Sequence, residues 1–93
     1  MKKFVIKLIT HDCNYDNKKD QIDCSVVGIK DNFEAAKDFM KNKQEKIIEK
    51  YVEDRDECEL EVVNDKCIKI WDICCRICYI LIITEIMVEI EED

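Results

Sequence analysis

The longest apolar run of the chain, ICYILII at residues 77–83, constrains the fold more than any other feature of the sequence. In an extended strand, successive side chains point to opposite faces, so this run makes both faces of the strand apolar. One face carries Ile77, Tyr79, Leu81 and Ile83, and the other carries Cys78, Ile80 and Ile82. A strand of this kind is typical of a sheet that is covered on both sides. We predict a strand over residues 77–90, with a bend or break near Thr84 and Glu85.

Alternation of apolar and polar residues predicts four further strands. They cover residues 2–10, 22–29, 57–63 and 67–71. The polar segment 11–21 is rich in Asn and Asp, which predicts a loop that joins the first two strands into a hairpin. Gly28 is the single glycine of the chain and allows a bulge or a tight exit near the end of the second strand.

A helix is predicted over residues 32–52, because apolar residues recur there at spacings of three and four and form one stripe. Asp31 is the predicted N-cap, with Glu34 three residues later in the manner of a capping box. The element order β-β-α-β-β-β predicts a single α+β domain over residues 1–93. We expect an antiparallel or mixed sheet of about five strands, with one long helix packed on one face.

One predicted helix can cover only one face of this sheet, so the apolar side chains on the other face need a second cover. Trp71, Val27, Ile29 and the long loop of residues 11–21 are one candidate cover. A second copy of the chain, or a partner protein, is the other, because large exposed apolar patches on soluble proteins usually mark interfaces. The residues predicted for an oligomer interface are Cys78, Ile80, Ile82 and Met87.

The net charge of −7 is unevenly distributed along the chain. Residues 1–52 carry 11 lysines against 9 acidic residues, whereas residues 53–93 carry 4 basic residues against 13 acidic ones. Such an acidic half repels nucleic acid and anionic lipid, so neither is expected as a direct partner. A basic protein surface is the expected partner.

A cytoplasmic location is expected, because the first residues lack the long apolar run of a signal peptide.

The seven cysteines are predicted to be reduced thiols that pack as small hydrophobic side chains. Cys75 and Cys78 form a C-x-x-C pair, but zinc usually needs a second pair or a histidine, and His11 is distant in sequence. The pair leads into a strand, whereas redox pairs open a helix. We therefore predict no metal, no cofactor and no catalytic residue. A thiol-dependent metal or redox protein is the alternative.

Acidic side chains recur at every second position of the third predicted strand, at Glu57, Glu59 and Glu61. Carboxylates spaced about 6.6 Å apart on a rigid strand can imitate a nucleic-acid backbone and occupy a basic groove. A solvated, solubilising face is the alternative interpretation. The predicted partner-binding residues are Glu53, Asp54, Asp56, Glu57, Glu59, Glu61, Glu85 and Glu89.

The run SVVGIKDNFEAAK at residues 25–37 resembles the strand-to-helix join of small uncharacterised proteins from bacteria and their phages, with a likeness that extends over residues 4–52. Small size, acidity and AT-rich coding also resemble phage counter-defence proteins of the anti-CRISPR type. The resemblance implies a non-enzymatic inhibitor that blocks the nucleic-acid-binding surface of a larger effector protein. It carries over no functional residue. A homo-oligomeric structural module, joined along residues 77–90, is the alternative function.

Overall fold

The computed structural model describes residues 1–12, 21–52, 55–73 and 76–88. Within these ranges the chain forms five strands, one α-helix and one short 3-10 helix. In chain order they are β1 (Lys2–Asp12), β2 (Gln21–Lys30), α1 (Phe33–Tyr51), the 3-10 helix (Arg55–Glu57), β3 (Cys58–Asn64), β4 (Cys67–Asp72) and β5 (Ile77–Met87). The predicted α+β class, with one helix and a five-stranded antiparallel sheet, is confirmed.

The strand β5 lies at the centre of the sheet, whose order is β2-β1-β5-β4-β3. It pairs with β1 from Ile77 to Met87 and with β4 from Ile77 to Ile82, antiparallel in both cases. Antiparallel pairing also joins β1 to β2 and β3 to β4. The apolar run 77–83 therefore occupies the middle of the sheet, and β2 and β3 form its edges.

The last strand and the third strand differ from their predicted bounds in ways that affect the candidate site. The last strand ends at Met87 instead of residue 90, and its pairing with β1 continues in register through Thr84 and Glu85. Residues 89 and 90 lie outside the described part of the chain. The third strand begins at Cys58, because Glu57 belongs to the preceding 3-10 helix.

The N-cap of α1 is Asn32, so the prediction of Asp31 was wrong by one residue. Asn32 has an extended backbone, and its Oδ1 accepts a hydrogen bond from the Ala35 N–H at 2.8 Å. The carboxylate of Asp31 is paired instead with the ammonium of Lys3 on β1. Asn and Asp are equally good N-caps. The two positions differ in that the Asp31 carboxylate is paired with Lys3, whereas the Asn32 side chain accepts the helix N–H.

The helix α1 packs against β2, β1 and β5 on one face of the sheet, which we call the inner face. The helix was predicted to pack on one face of the sheet, and α1 does so over β2, β1 and β5 while leaving β3 and part of β4 beside it. The buried core lies between α1 and the inner face. Its members include Ile6, Ala36, Met40, Ile47, Ile68, Ile70, Tyr79, Leu81 and Ile83.

A β-bulge in β2 and Gly28 together allow α1 to approach the edge of the sheet. The register between β1 and β2 shifts after the Ile6–Gly28 pair, which leaves Val27 as the extra residue. A Cβ atom added to Gly28 would lie 2.7 Å from a ring carbon of Phe39 on α1. The predicted bulge near Gly28 is therefore present, and the missing side chain makes room for the aromatic ring.

Candidate interaction surface

The sheet face opposite α1, which we call the outer face, carries the second set of apolar side chains. Its members share a face because they pair with one another across the strands, and none belongs to the core beneath α1. They are Lys3, Val5, Lys7, Ile9 and His11 of β1, Ile22, Cys24, Val26 and Ile29 of β2, Cys78, Ile80, Ile82, Thr84 and Ile86 of β5, Cys67, Lys69 and Trp71 of β4, and Glu59 and Glu61 of β3.

Large apolar side chains are exposed on the β2 side of the outer face. The exposed fractions are 64% for Ile22, 55% for Val26 and 59% for Ile29. Towards the sheet centre, Ile80 and Ile82 are half-buried and Cys78 is buried. The outer face is therefore most buried along β1 and β5, where Val5 is also buried, and it exposes apolar side chains along the β2 edge.

The predicted intramolecular cover does not lie over the outer face in the described part of the chain. Val27 packs against the core on the inner face. Ile29 and Trp71 are themselves exposed members of the outer face. Residues 13–20 of the predicted loop lie outside the described residues, whereas His11 and Asp12 extend β1.

The predicted oligomer-interface residues divide between the two faces. Cys78, Ile80 and Ile82 lie on the outer face, in alternate positions of β5. Met87 lies an odd number of residues from them along β5. Its side chain is therefore on the inner-face side, where Met87 pairs with Lys2 and is exposed. Ile86 is the residue that extends the outer-face series along β5.

Of the predicted acidic residues, the structure brings Glu59 and Glu61 together on the outer face. Both are exposed on the edge strand β3, and Glu61 lies opposite Lys69 while Glu59 lies opposite Trp71. Glu57, predicted to share this strand face, instead ends the 3-10 helix, where its carbonyl accepts a hydrogen bond from the Ile73 N–H at 2.9 Å.

The remaining predicted acids lie elsewhere in the fold or outside the described residues. Asp56 is exposed in the 3-10 helix. Glu85 lies on the same side of β5 as Met87, and its carboxylate lies 3.0 Å from the Lys2 ammonium. Glu53, Asp54 and Glu89 lie outside the described residues. Among the described residues, the predicted acids that share the outer face are Glu59 and Glu61.

The ion pair between Lys3 and Asp31 lies at the margin of the outer face, where β1 meets the start of α1. Lys3 donates a hydrogen bond to the Asp31 carboxylate. This hydrogen bond, and then the charge of the ammonium, lower the pKa of the Asp31 carboxyl from its usual value. Lys7, further along β1, is the next cation on the same face.

Four of the seven cysteines lie in the described residues, and all four are thiols. Cys24 is exposed on the outer face, Cys67 is half-buried there, and Cys78 is buried. Cys58 lies on the inner-face side, opposite Asp72. Cys75 of the C-x-x-C pair is outside the described part. Among the described residues, no group of three His, Cys, Asp or Glu side chains is arranged to hold a metal ion.

No family model, curated protein or solved structure matches this chain. In the described ranges of the chain, no helix has the length and apolar character needed to cross a lipid bilayer.

A groove beside α1 is a feature that the sequence did not predict. It has a volume of about 540 Å³ and runs between α1 and the inner side of β3. Leu60, Val62 and Met40 form its apolar lining, with Lys37 and Lys41 on its helical rim. It exists because α1 packs over β2, β1 and β5 and leaves β3 beside it.

The outer face continues along the whole of β2, which periodicity in the sequence did not predict. Ile22, Cys24 and Val26 alternate in sequence, whereas Ile29 falls an odd number of residues from them and would lie on the opposite face of a regular strand. The bulge at Val27 reverses the alternation, so Ile29 joins the same face. A bulge depends on pairing with β1, so periodicity within β2 alone could not reveal it.

Proposed function

We propose that this chain is a non-enzymatic protein-interaction module that binds through its outer face. The observation that carries the proposal is the exposure of Ile22, Val26 and Ile29 on a sheet face that α1 does not cover. Contiguous apolar surface of this kind is costly in water and is usually buried against another protein.

The distribution of side chains on the outer face supports this proposal. Ile80 and Ile82 lie along its centre, with Lys7 and Lys69 beside them on β1 and β4, and Glu59 and Glu61 lie on the edge strand β3. Protein interfaces likewise combine apolar contact residues with polar and charged groups. The strands that support these side chains form one hydrogen-bonded sheet, so the surface is held in one shape before binding.

Substitution of the exposed apolar residues is expected to abolish partner capture. The test is affinity capture from a bacterial lysate with the tagged chain, followed by titration of the identified partner in purified form. Val26→Glu combined with Ile29→Glu introduces two charges into the contact, and each buried unpaired charge costs several kcal/mol.

Val62→Glu is the matched control, because Val62 is 65% exposed but lies on the inner-face side. The partner should bind the wild-type chain and the Val62 variant with similar affinity. A partner that binds the outer-face double variant equally well, or that loses binding only with Val62→Glu, would contradict the proposed surface. Circular dichroism of all variants checks that they are folded.

A second proposal concerns the chemistry of the partner. Glu59 and Glu61 are exposed on an edge strand, at a separation of about 6.6 Å along it. They favour a partner with a basic surface, of which a nucleic-acid-binding effector protein is the most specific example. In that form the chain is an inhibitor that competes with nucleic acid for the effector.

Charge reversal tests the basic partner separately from the apolar contact. Glu59→Lys with Glu61→Lys is expected to weaken binding at least tenfold, or about 1.4 kcal/mol, and to reduce its dependence on salt. Glu85→Lys is the control, because Glu85 is paired with Lys2 away from the outer face. Unchanged affinity of the double reversal at low salt would exclude these two acids from partner recognition.

A further inference from the structure

We propose that the groove between α1 and β3 is a binding site for a free medium-chain fatty carboxylate. Such a ligand has a linear apolar chain and a negatively charged head. The groove lies on the inner-face side of the sheet, so this site is separate from the outer face. The proposal depends on three observations: the size and apolar lining of the groove, a buried amide that has no partner, and the positions of the charges around it.

The groove has the size and lining of a small-molecule site. Its volume of about 540 Å³ lies within the roughly 300–1,000 Å³ of such pockets. Leu60 and Val62 of β3, Met40 of α1 and Ile68 of β4 give it an apolar lining. It follows β3 from Leu60 to Asn64, which is four residue steps or about 13 Å. An extended chain advances on the order of 1.2 Å per bond, so about ten bonds fit along the groove.

Gln44 provides a buried polar group at one end of the groove. It lies on the core-facing side of α1, between the buried apolar residues Met40 and Ile47, and it is 7% exposed. Among the described residues, no group forms a hydrogen bond with the Gln44 amide, and the residue lines the groove. A buried amide without a partner destabilises a fold. A ligand oxygen that accepts its N–H would provide the missing partner.

Lys41 places a positive charge beside this amide. Residues three apart on a helix are neighbours on its surface, so Lys41 and Gln44 border the same part of the groove. Within the described part of the chain, the Lys41 ammonium pairs with no carboxylate. A ligand carboxylate has two oxygens, so it can accept from the ammonium and from the amide N–H together. Lys37, also in the lining, has its ammonium 5.6 Å from the centroid of the Phe33 ring, towards the start of α1.

An acidic residue at the other end of the groove determines the direction of the ligand. Asp65 lies in the turn between β3 and β4 and lines the groove. The ammonium of the next residue, Lys66, lies 6.0 Å from the centroid of the Phe33 ring, so this turn is near the start of α1. Gln44 is eleven residues further along the helix than Phe33, or about 16 Å. The Asp65 carboxylate repels a second carboxylate, so the head of the ligand lies at Gln44 and its chain runs towards the turn.

Titration calorimetry with octanoate tests both parts of the ligand. Octanoate is expected to bind at least about tenfold more tightly than 1-octanol, which has the chain without the charge. It is also expected to bind at least about tenfold more tightly than butyrate, which has the charge and a short chain. Equal affinity for 1-octanol would reject recognition of the carboxylate. A dissociation constant for octanoate above about 1 mM would overturn the site.

Two substitutions test the groups that bind the head. Lys41→Gln and Gln44→Leu are each expected to weaken octanoate binding at least about tenfold. Lys46→Gln is the matched control, because Lys46 is an exposed lysine of α1 that does not line the groove. Gln44→Leu keeps the size of the side chain and removes the unpaired amide, so it is expected to raise the melting temperature while it weakens binding. Unchanged affinity in both variants would overturn the proposed head-group site.

The methionine methyl groups locate the ligand on the unaltered chain. The chain has three methionines, and Met40 lines the groove, whereas Met87 is exposed near the end of β5. In NMR spectra of chain labelled at the methionine methyl carbons, octanoate is expected to shift the Met40 signal and to leave the Met1 and Met87 signals in place. Met40→Leu assigns the signal. A Met40 signal that does not move at saturating octanoate would overturn the proposal.

The outer-face double variant separates this site from the proposed interaction surface. Val26→Glu with Ile29→Glu is expected to bind octanoate as the wild type does, because both residues lie on the opposite face of the sheet. Loss of octanoate binding in a folded double variant would place the ligand on the outer face and reject the groove. Partner capture by the outer face is not affected by either result.

Discussion

At the scale of single residues, Gly28 determines how closely α1 can approach the sheet. Its backbone is not in the left-handed region, so conformational freedom does not explain the glycine. The reason is space, because a Cβ at this position would lie 2.7 Å from the Phe39 ring. An ordinary van der Waals contact between carbons needs about 3.5–4.0 Å, so the ring or the strand would have to move.

We expect Gly28→Ala to lower the free energy of unfolding by about 1–2 kcal/mol. Overpacking costs roughly 1–3 kcal/mol, and the reduced freedom of the unfolded chain returns part of that cost. Urea unfolding followed by circular dichroism measures the change. In a Phe39→Leu background the same substitution should cost less, since the smaller side chain leaves room for the Cβ. An equal cost in both backgrounds would show that the Phe39 ring is not the cause.

The N-cap prediction failed at a position where two neighbouring residues are both suitable caps. Asp31 and Asn32 are both good N-caps, but the Asp31 carboxylate is paired with Lys3 on a distant strand, and Asn32 caps the helix. Met87 and Ile82 were predicted for the same interface. Strict alternation, which β5 obeys along its pairing with β1, separates them onto opposite faces.

At the scale of the elements, the start of α1 depends on a single side chain. Asn32 accepts the Ala35 N–H, and its own carbonyl accepts the Ala36 N–H at 3.1 Å. The first N–H groups of a helix have no partner within the helix, so a cap supplies one that water would otherwise have to provide. The cap also fixes the point at which the chain leaves β2 and turns onto the inner face.

Removal of this cap by Asn32→Ala is expected to lower the free energy of unfolding by about 0.5–2 kcal/mol. Asn32→Asp is the matched control, because it retains an acceptor of the same length and should cost little. Thermal unfolding followed by the helical circular dichroism signal measures both. If Asp31→Ala removes as much helical signal as Asn32→Ala, the assignment of the cap to Asn32 is incorrect.

The elements themselves could be predicted well, because their signals are local. The stripe of apolar residues in α1 and the alternation in β3 depend only on neighbours within one segment. The pairing of β1 with β2 was also predicted. The 3-10 helix that contains Glu57 was not, since three residues are too few for a periodic signal. That short element removed Glu57 from the acidic strand face.

At the scale of the whole molecule, the sequence predicted more apolar side chains on the sheet than one helix can cover. It did not predict where on the sheet the uncovered side chains would lie. The apolar run 77–83 indicated that one helix would leave a sheet face uncovered. Which strands surround β5 could not be inferred, because order within a sheet depends on contacts between residues far apart in sequence. The outer face depends on β1 and β4 lying on either side of β5. It also depends on the bulge at Val27, which places Ile29 on the same face as Val26.

The central position of β5 also has a consequence for biosynthesis. The ribosome makes β1 and β2, then α1, then β3 and β4, and only afterwards the strand that joins the two hairpins. Until it emerges, a nascent chain has no sheet that spans both halves. A hydrogen bond from the Met1 amino group to the Val88 carbonyl joins residues that are 87 positions apart in sequence. Such distant pairing slows folding, and until β5 pairs with β1 and β4 the facing edges of those two strands are exposed to association with other chains.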